Sequence, residues 1–106
     1  MKHLFFLLLI FMSVLAKAQT KKINYDSCTF NGFKLYGKIQ VVTAFPDLKI
    51  QMVDAFPDLK VKIVDAFPDD CGKWKFVDAF PDTKIQFVTA FPDLKIQYVD
   101  AFPGKP

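Results

Sequence analysis

Histidine, arginine and glutamate are missing from almost the whole chain. All 14 basic residues are lysine, all 11 acidic residues are aspartate, and the single histidine is His3. Beyond residue 18 serine occurs once, as Ser27. These absences exclude chemistry. Without histidine there is no imidazole base, no His–Cys zinc site and no Ser-His-Asp triad. The chain is therefore expected to have no catalytic residue, no cofactor and no enzymatic activity. No clustered excess of basic charge marks a nucleic-acid partner.

Long apolar runs are scarce as well. Leu4 to Met12 is unbroken and Val14 and Leu15 extend it, short of the about 20 residues that span a bilayer. Met1-Lys2-His3 before it and Ala16-Lys17-Ala18 after it complete the layout of a secretory signal. Residues 1–18 are thus expected to be a leader cleaved near Ala18-Gln19, with an uncleaved anchor as the alternative. Removal takes His3, Lys2 and Lys17, so the formal charge falls from +3 to +1. The product would be secreted or periplasmic, with no stable membrane span. Residues 19–27 are expected to be a flexible lead-in, 28–104 the folded domain and 105–106 a tail.

Cysteine is limited to Cys28 and Cys71. In an exported chain a pair reads as one disulfide. Two unpaired thiols are the alternative, and a redox role lacks the C-x-x-C spacing.

What is present is a repeat. Ala-Phe-Pro occurs six times, with prolines Pro46, Pro57, Pro68, Pro81, Pro92 and Pro103 separated by 11, 11, 13, 11 and 11 residues. Ahead of each copy polar and apolar residues alternate, as in Lys49-Ile50-Gln51-Met52-Val53 and Lys95-Ile96-Gln97-Tyr98-Val99. β-Branched and aromatic residues fill the apolar places, a strand pattern. An eleven-residue period also suits a right-handed coiled coil, but a proline in every unit breaks a helix. Each unit then reads as one short strand and one Phe-Pro corner. Phenylalanine before proline is expected to be extended.

Eleven is odd, so strict alternation would turn each unit over relative to the last. Adjacent apolar pairs such as Met52-Val53 let the alternation slip once per unit and restore the orientation. Phe45, Phe56, Phe67, Phe80, Phe91 and Phe102 would then all face one side, taken to be the core. The 13-residue gap, Asp69-Asp70-Cys71-Gly72, divides the chain into two similar laps. The last unit is as apolar as the middle ones, without the polar cap an open solenoid needs. The expected fold is all-β: a small closed array of about six or seven short strands.

The tandem Val-Asp-Ala-Phe-Pro-Asp-Leu-Lys-Ile-Gln units carry a resemblance. So do the central Pro68-Asp69-Asp70-Cys71-Gly72-Lys73-Trp74-Lys75-Phe76 and the lead-in Asn31-Gly32-Phe33-Lys34-Leu35-Tyr36-Gly37-Lys38. Together they resemble the 7(1) septoil knot domain of small bacterial proteins, over about residues 28–104. That resemblance implies a backbone threaded as a seven-crossing torus knot and no catalytic activity to carry over. The family's repeats often have serine where this chain has alanine before phenylalanine, so any role of that hydroxyl is absent.

Aspartate follows five of the prolines, at Asp47, Asp58, Asp69, Asp82 and Asp93, and precedes Ala-Phe-Pro at Asp54, Asp65, Asp78 and Asp100. Oxygen ligands suit calcium, but no D-x-D-x-D-G loop is present, so turn capping and pairing with the recurring lysines are expected and no metal. The chain then reads as an exported structural domain of high persistence. One alternative is a module binding a cell-envelope polymer or protein through repeated lysine and aspartate, with Lys62 and Lys75 as probes. A lesser one is an amyloid-like fibre subunit, which the prolines and charges oppose.

Overall fold

Five residues of a regular eleven-residue unit form a strand and six form a corner. The computed structural model describes residues 22–106, and the leader with its cleavage site lies outside them. A short hairpin comes first, β1 (Thr29–Phe30) and β2 (Phe33–Lys34). Six strands follow: β3 (Gly37–Val41), β4 (Leu48–Met52), β5 (Leu59–Ile63), β6 (Lys73–Phe76), β7 (Thr83–Phe87) and β8 (Leu94–Tyr98). They close into a parallel barrel in the order β3-β6-β5-β8-β4-β7.

Spatial order and chain order differ in a regular way. From β3 to β4, β4 to β5, β6 to β7 and β7 to β8, the chain moves two places around the barrel in one direction. The 13-residue gap from β5 to β6 moves it one place. The second lap therefore fills the places between the strands of the first. The closed, twice-wound array expected from the spacing is the one observed.

Parallel strands usually need a crossover of a dozen or more residues, because the chain must run back. Here it does not run back. Val41 at the end of β3 and Leu48 at the start of β4 both register with Ile85 of β7. Met52 and Leu59 bracket Ile96 of β8 in the same manner. The strands are staggered so that one ends level with the start of the next, on the far side of the strand between them. Each corner has only to step over that strand.

Alternation places the first and third residues of each strand inward. Leu48, Ile50, Leu59, Val61, Thr83, Ile85, Leu94, Ile96, Ile39 and Trp74 are all 2% exposed or less. The fifth residues, such as Met52 and Tyr98, are exposed at 42% and 44%.

The corners overturn one expectation. Phe45, Phe56, Phe67, Phe80, Phe91 and Phe102 are 81–94% exposed and form no part of the core. The reason is topological. A corner that steps over a barrel strand must pass outside it, since the inside is filled by that strand's isoleucine. The apex residue then points to solvent. Nor are these residues extended: each has φ between 53° and 56°. A left-handed conformation costs a non-glycine residue roughly 1–2 kcal/mol. Phe91→Gly should thus leave stability unchanged or raise it by about 1 kcal/mol. A buried phenylalanine would lose about 3–5 kcal/mol on truncation, so urea denaturation separates the two placements.

The hairpin covers one end of the barrel. Its two-residue turn, Asn31-Gly32, has φ of 51° and 83°, the signs of a type I′ turn. Phe30, Leu35 and Cys28 are buried against the core. Trp74 Nε1 donates to the Leu35 carbonyl at 2.9 Å, and Thr83 Oγ1 to that of Lys34 at 2.8 Å. Cys28 and Cys71 are disulfide-bonded, with Cα atoms 5.6 Å apart. The lead-in expected over residues 19–27 is described from residue 22 and makes local hydrogen bonds. Asn24 exchanges backbone hydrogen bonds with Thr29, and its Oδ1 accepts from the amides of Asp26 and Ser27.

Candidate functional site

The repeated surface is the corner, and every corner is held by the strand beneath it. Where β3 passes to β4, the Val42 amide donates to the Ile85 carbonyl and the Asp47 amide to that of Lys84. Asp47 Oδ2 in turn accepts from the Lys84 amide at 2.8 Å. Gln86 Nε2 donates to the Thr43 carbonyl at 3.2 Å. The crossed Lys-Ile-Gln segment thus grips both ends of the arch.

The same set recurs. Asp58, Asp82 and Asp93 accept from the amides of Lys95, Lys38 and Lys49 at 2.7–2.8 Å. Gln97, Gln40 and Gln51 donate to the carbonyls of Asp54, Asp78 and Thr89. These bonds over-determine the corner and hold the strained phenylalanine in place.

Five corners each cross a different strand, and the corner after β5 leads to the adjacent β6 without crossing one. The valine amides after β3 to β8 donate to Ile85, Ile96, Trp74, Ile39, Ile50 and Val61, one carbonyl on each barrel strand. The six exposed phenylalanines, one per corner, are therefore distributed as a belt around the circumference.

The aspartates behave differently from a ring of free carboxylates. Asp47, Asp58, Asp82 and Asp93 each spend an oxygen on a lysine main-chain amide. Side-chain ion pairs are few among the described residues: Lys73 with Asp70 at 3.1 Å, and Lys34 with Asp82 at 3.9 Å. Turn capping, not lysine–aspartate pairing, is the role of the aspartates after proline. Asp69 is exposed, and Asp54, Asp65, Asp78 and Asp100 sit exposed at the corners. Among the described residues no group of three His, Cys, Asp or Glu side chains could hold a metal ion.

Three units depart from the pattern. Lys62 and Lys75 take the place of glutamine, in the strands flanking the long gap. The last corner has Gly104 where the others have aspartate, and its amide and carbonyl both bond Lys60. A Cβ on Gly72 would strike the Lys60 carbonyl and lie 2.6 Å from the Gly104 amide. The end of the second lap closes against the lap change at a point where only glycine fits.

A cavity lies elsewhere, between the hairpin segment and the barrel. It holds about 380 Å³ and is lined by Tyr25, Phe30, Asp58, Asp93 and neighbours. Tyr25 Oη donates to the Asp58 carbonyl, and Lys105 stands 5.5 Å from the Tyr25 ring. Burial, with the Asp58 charge adding, raises the Tyr25 phenol above its ordinary value. The phenol remains a protonated donor at neutral pH. Lys22 also lines this cavity, and its carboxylates, Asp58 and Asp93, already cap the neighbouring strands.

A family model for the 7(1) septoil knot domain matches residues 32–106. The chain belongs to that family. The match takes in all six barrel strands and the belt of a septoil knot domain. An uncharacterized protein of Synechocystis sp. (strain PCC 6803) is 73% identical over 52 residues. That stretch is 49% of this chain and 46% of the relative, so the chain spans about half of the relative's length. Among the described residues no helix is long and apolar enough to cross a membrane. The disulfide is compatible with an extracellular location.

Proposed function

We propose that this septoil knot domain is an exported, non-enzymatic scaffold whose useful property is persistence. The interleaving of the two laps carries the reading. Five of the six barrel strands are each crossed on the outside by a corner fastened by hydrogen bonds, and every barrel pairing except β5–β6 joins strands distant in sequence. Local fraying therefore frees little chain. The laps support a threaded, knotted backbone, and the disulfide joins the barrel cap to the lap change. Such topology slows unfolding more than it deepens the native well, which is kinetic stability. The signal-like leader and the disulfide support export.

A small core alone leaves a domain of this size marginal. The scaffold is thus expected to unfold slowly, with a half-life of hours or longer in urea concentrations beyond its equilibrium midpoint. Incubation with a nonspecific protease should leave the described region intact long after a reduced and unfolded control is degraded. Digestion at the control's rate would remove the reading.

A further inference from the structure

The belt of phenylalanines is unexplained by the fold that carries it. Burial does not require it, since the rings are 81–94% exposed. Backbone conformation opposes it, because φ near 54° favours glycine or asparagine. Packing on the following proline is slight at that exposure. A corner needing only to turn would be better served by glycine, yet six of six carry a large apolar ring. We infer that the belt is a self-association surface, on which phenylalanines of one copy enter grooves between the corners of another.

The groove is present on the same circumference. Met52, Phe87 and Val88, with Gln51 and Thr89 at its rim, line a hollow of about 290 Å³ where the corner after β7 steps over β4. Met52 and Phe87 are 42% and 38% exposed there, and Val41, Ile63, Phe76 and Tyr98 occupy the equivalent places around the barrel at 39–48%. A cavity of about 150 Å³ already accommodates a benzene ring, so the hollow has room for one phenylalanine.

Area decides how many rings are needed. A buried phenylalanine contributes about 150–250 Å². One ring in one groove falls far short of the about 1,200 Å² at the lower end of specific interfaces. Two neighbouring rings from each copy, with the groove walls they cover, reach it. Pairing is then weak. A pair engages only part of each circumference and leaves further corners free for other copies, so association propagates. The predicted species is a concentration-dependent chain or sheet of natively folded copies, distinct from an amyloid-like fibre of unfolded strands.

Sedimentation velocity of the full, oxidised chain over a hundredfold concentration range tests this. Wild type should shift to larger species as concentration rises. The quadruple variant Phe45→Gly, Phe56→Gly, Phe80→Gly, Phe91→Gly should need at least tenfold higher concentration for the same shift. Glycine suits the backbone at each site, so an unchanged or raised urea midpoint confirms that the variant folds. Met52→Lys, altering a groove and no ring, should weaken association in the same direction. A wild type that stays monomeric throughout overturns the inference, as does association that the phenylalanine variant leaves unaltered. Monomers that co-sediment with phosphatidylglycerol vesicles, and do so only with the rings present, overturn it in favour of a lipid surface. Persistence against protease is read separately on dilute protein and can fail while this holds.

Discussion

Trp74→Ala should cost about 4 kcal/mol, read as a lowered urea midpoint at unchanged slope. Trp74 is 1% exposed and sits where the other barrel strands place Ile39, Ile50, Val61, Ile85 and Ile96. Its size answers a local shortage. The inward place two residues before it is Gly72, just ahead of β6, and its registered neighbour on β3 is Gly37. Neither glycine contributes a side chain, and the indole fills what two leucines fill elsewhere. Truncation opens a cavity in a ring of close-packed aliphatic groups that cannot shift inward without disturbing the strand ladder. The lost hydrogen bond is the smaller part. The Leu35 carbonyl also accepts from the Gly72 amide at 3.2 Å, so it is not left orphaned when the indole goes. Trp74→Phe, which keeps much of the volume and loses the N–H, should cost only about 1–2 kcal/mol. Equal losses in the two variants would show that the hydrogen bond, not the volume, holds the cap.

How far this barrel could be read from its residues depended on which rule each feature obeyed. The laps were legible, because a single 13-residue gap among gaps of 11 marks the one place where the chain steps differently. The strands were legible from alternation, and closure from the want of a polar end. The belt was not. "Apolar inside" is a one-way rule, and whether Phe56 faces in or out depends on whether the corner passes inside or outside β8. Only the spatial order of strands settles that, and adjacency in sequence gives no hint of an order that skips a place at each corner. The conformation at phenylalanine was obscured for a related reason. Proline restricts its predecessor away from the right-handed helical region, which leaves the left-handed one open as well as the extended one. The roles of Asp93 and Gln97 lay hidden in the same geometry: both bond residues about 40 positions away. Their regular recurrence beside Phe-Pro was the one available signal.

Replacing both cysteines, Cys28→Ser with Cys71→Ser, should cost about 4 kcal/mol on the chain-entropy account of a 43-residue separation. For a domain of this size that is a fall of roughly 20 °C in Tm. The position of the bond makes the effect kinetic too. The segment it closes contains the hairpin and β3, β4 and β5, the whole first lap. With the bond intact, that lap remains a loop in the unfolded chain, and the second lap must find the spaces between its strands. Without it, the cap is held by the hydrogen bonds of Trp74 and Thr83 and by the burial of Phe30 and Leu35. Those contacts join the cap to both laps, but none is covalent. Unfolding should therefore quicken on reduction by a larger factor than refolding slows, since the cap docks onto a barrel that must already exist. A chevron comparison of the oxidised chain and the serine variant reads both arms. If the unfolding arms coincide and only the refolding arms differ, the cap is already docked in the transition state, and the bond acts by gathering the first lap before the second threads it.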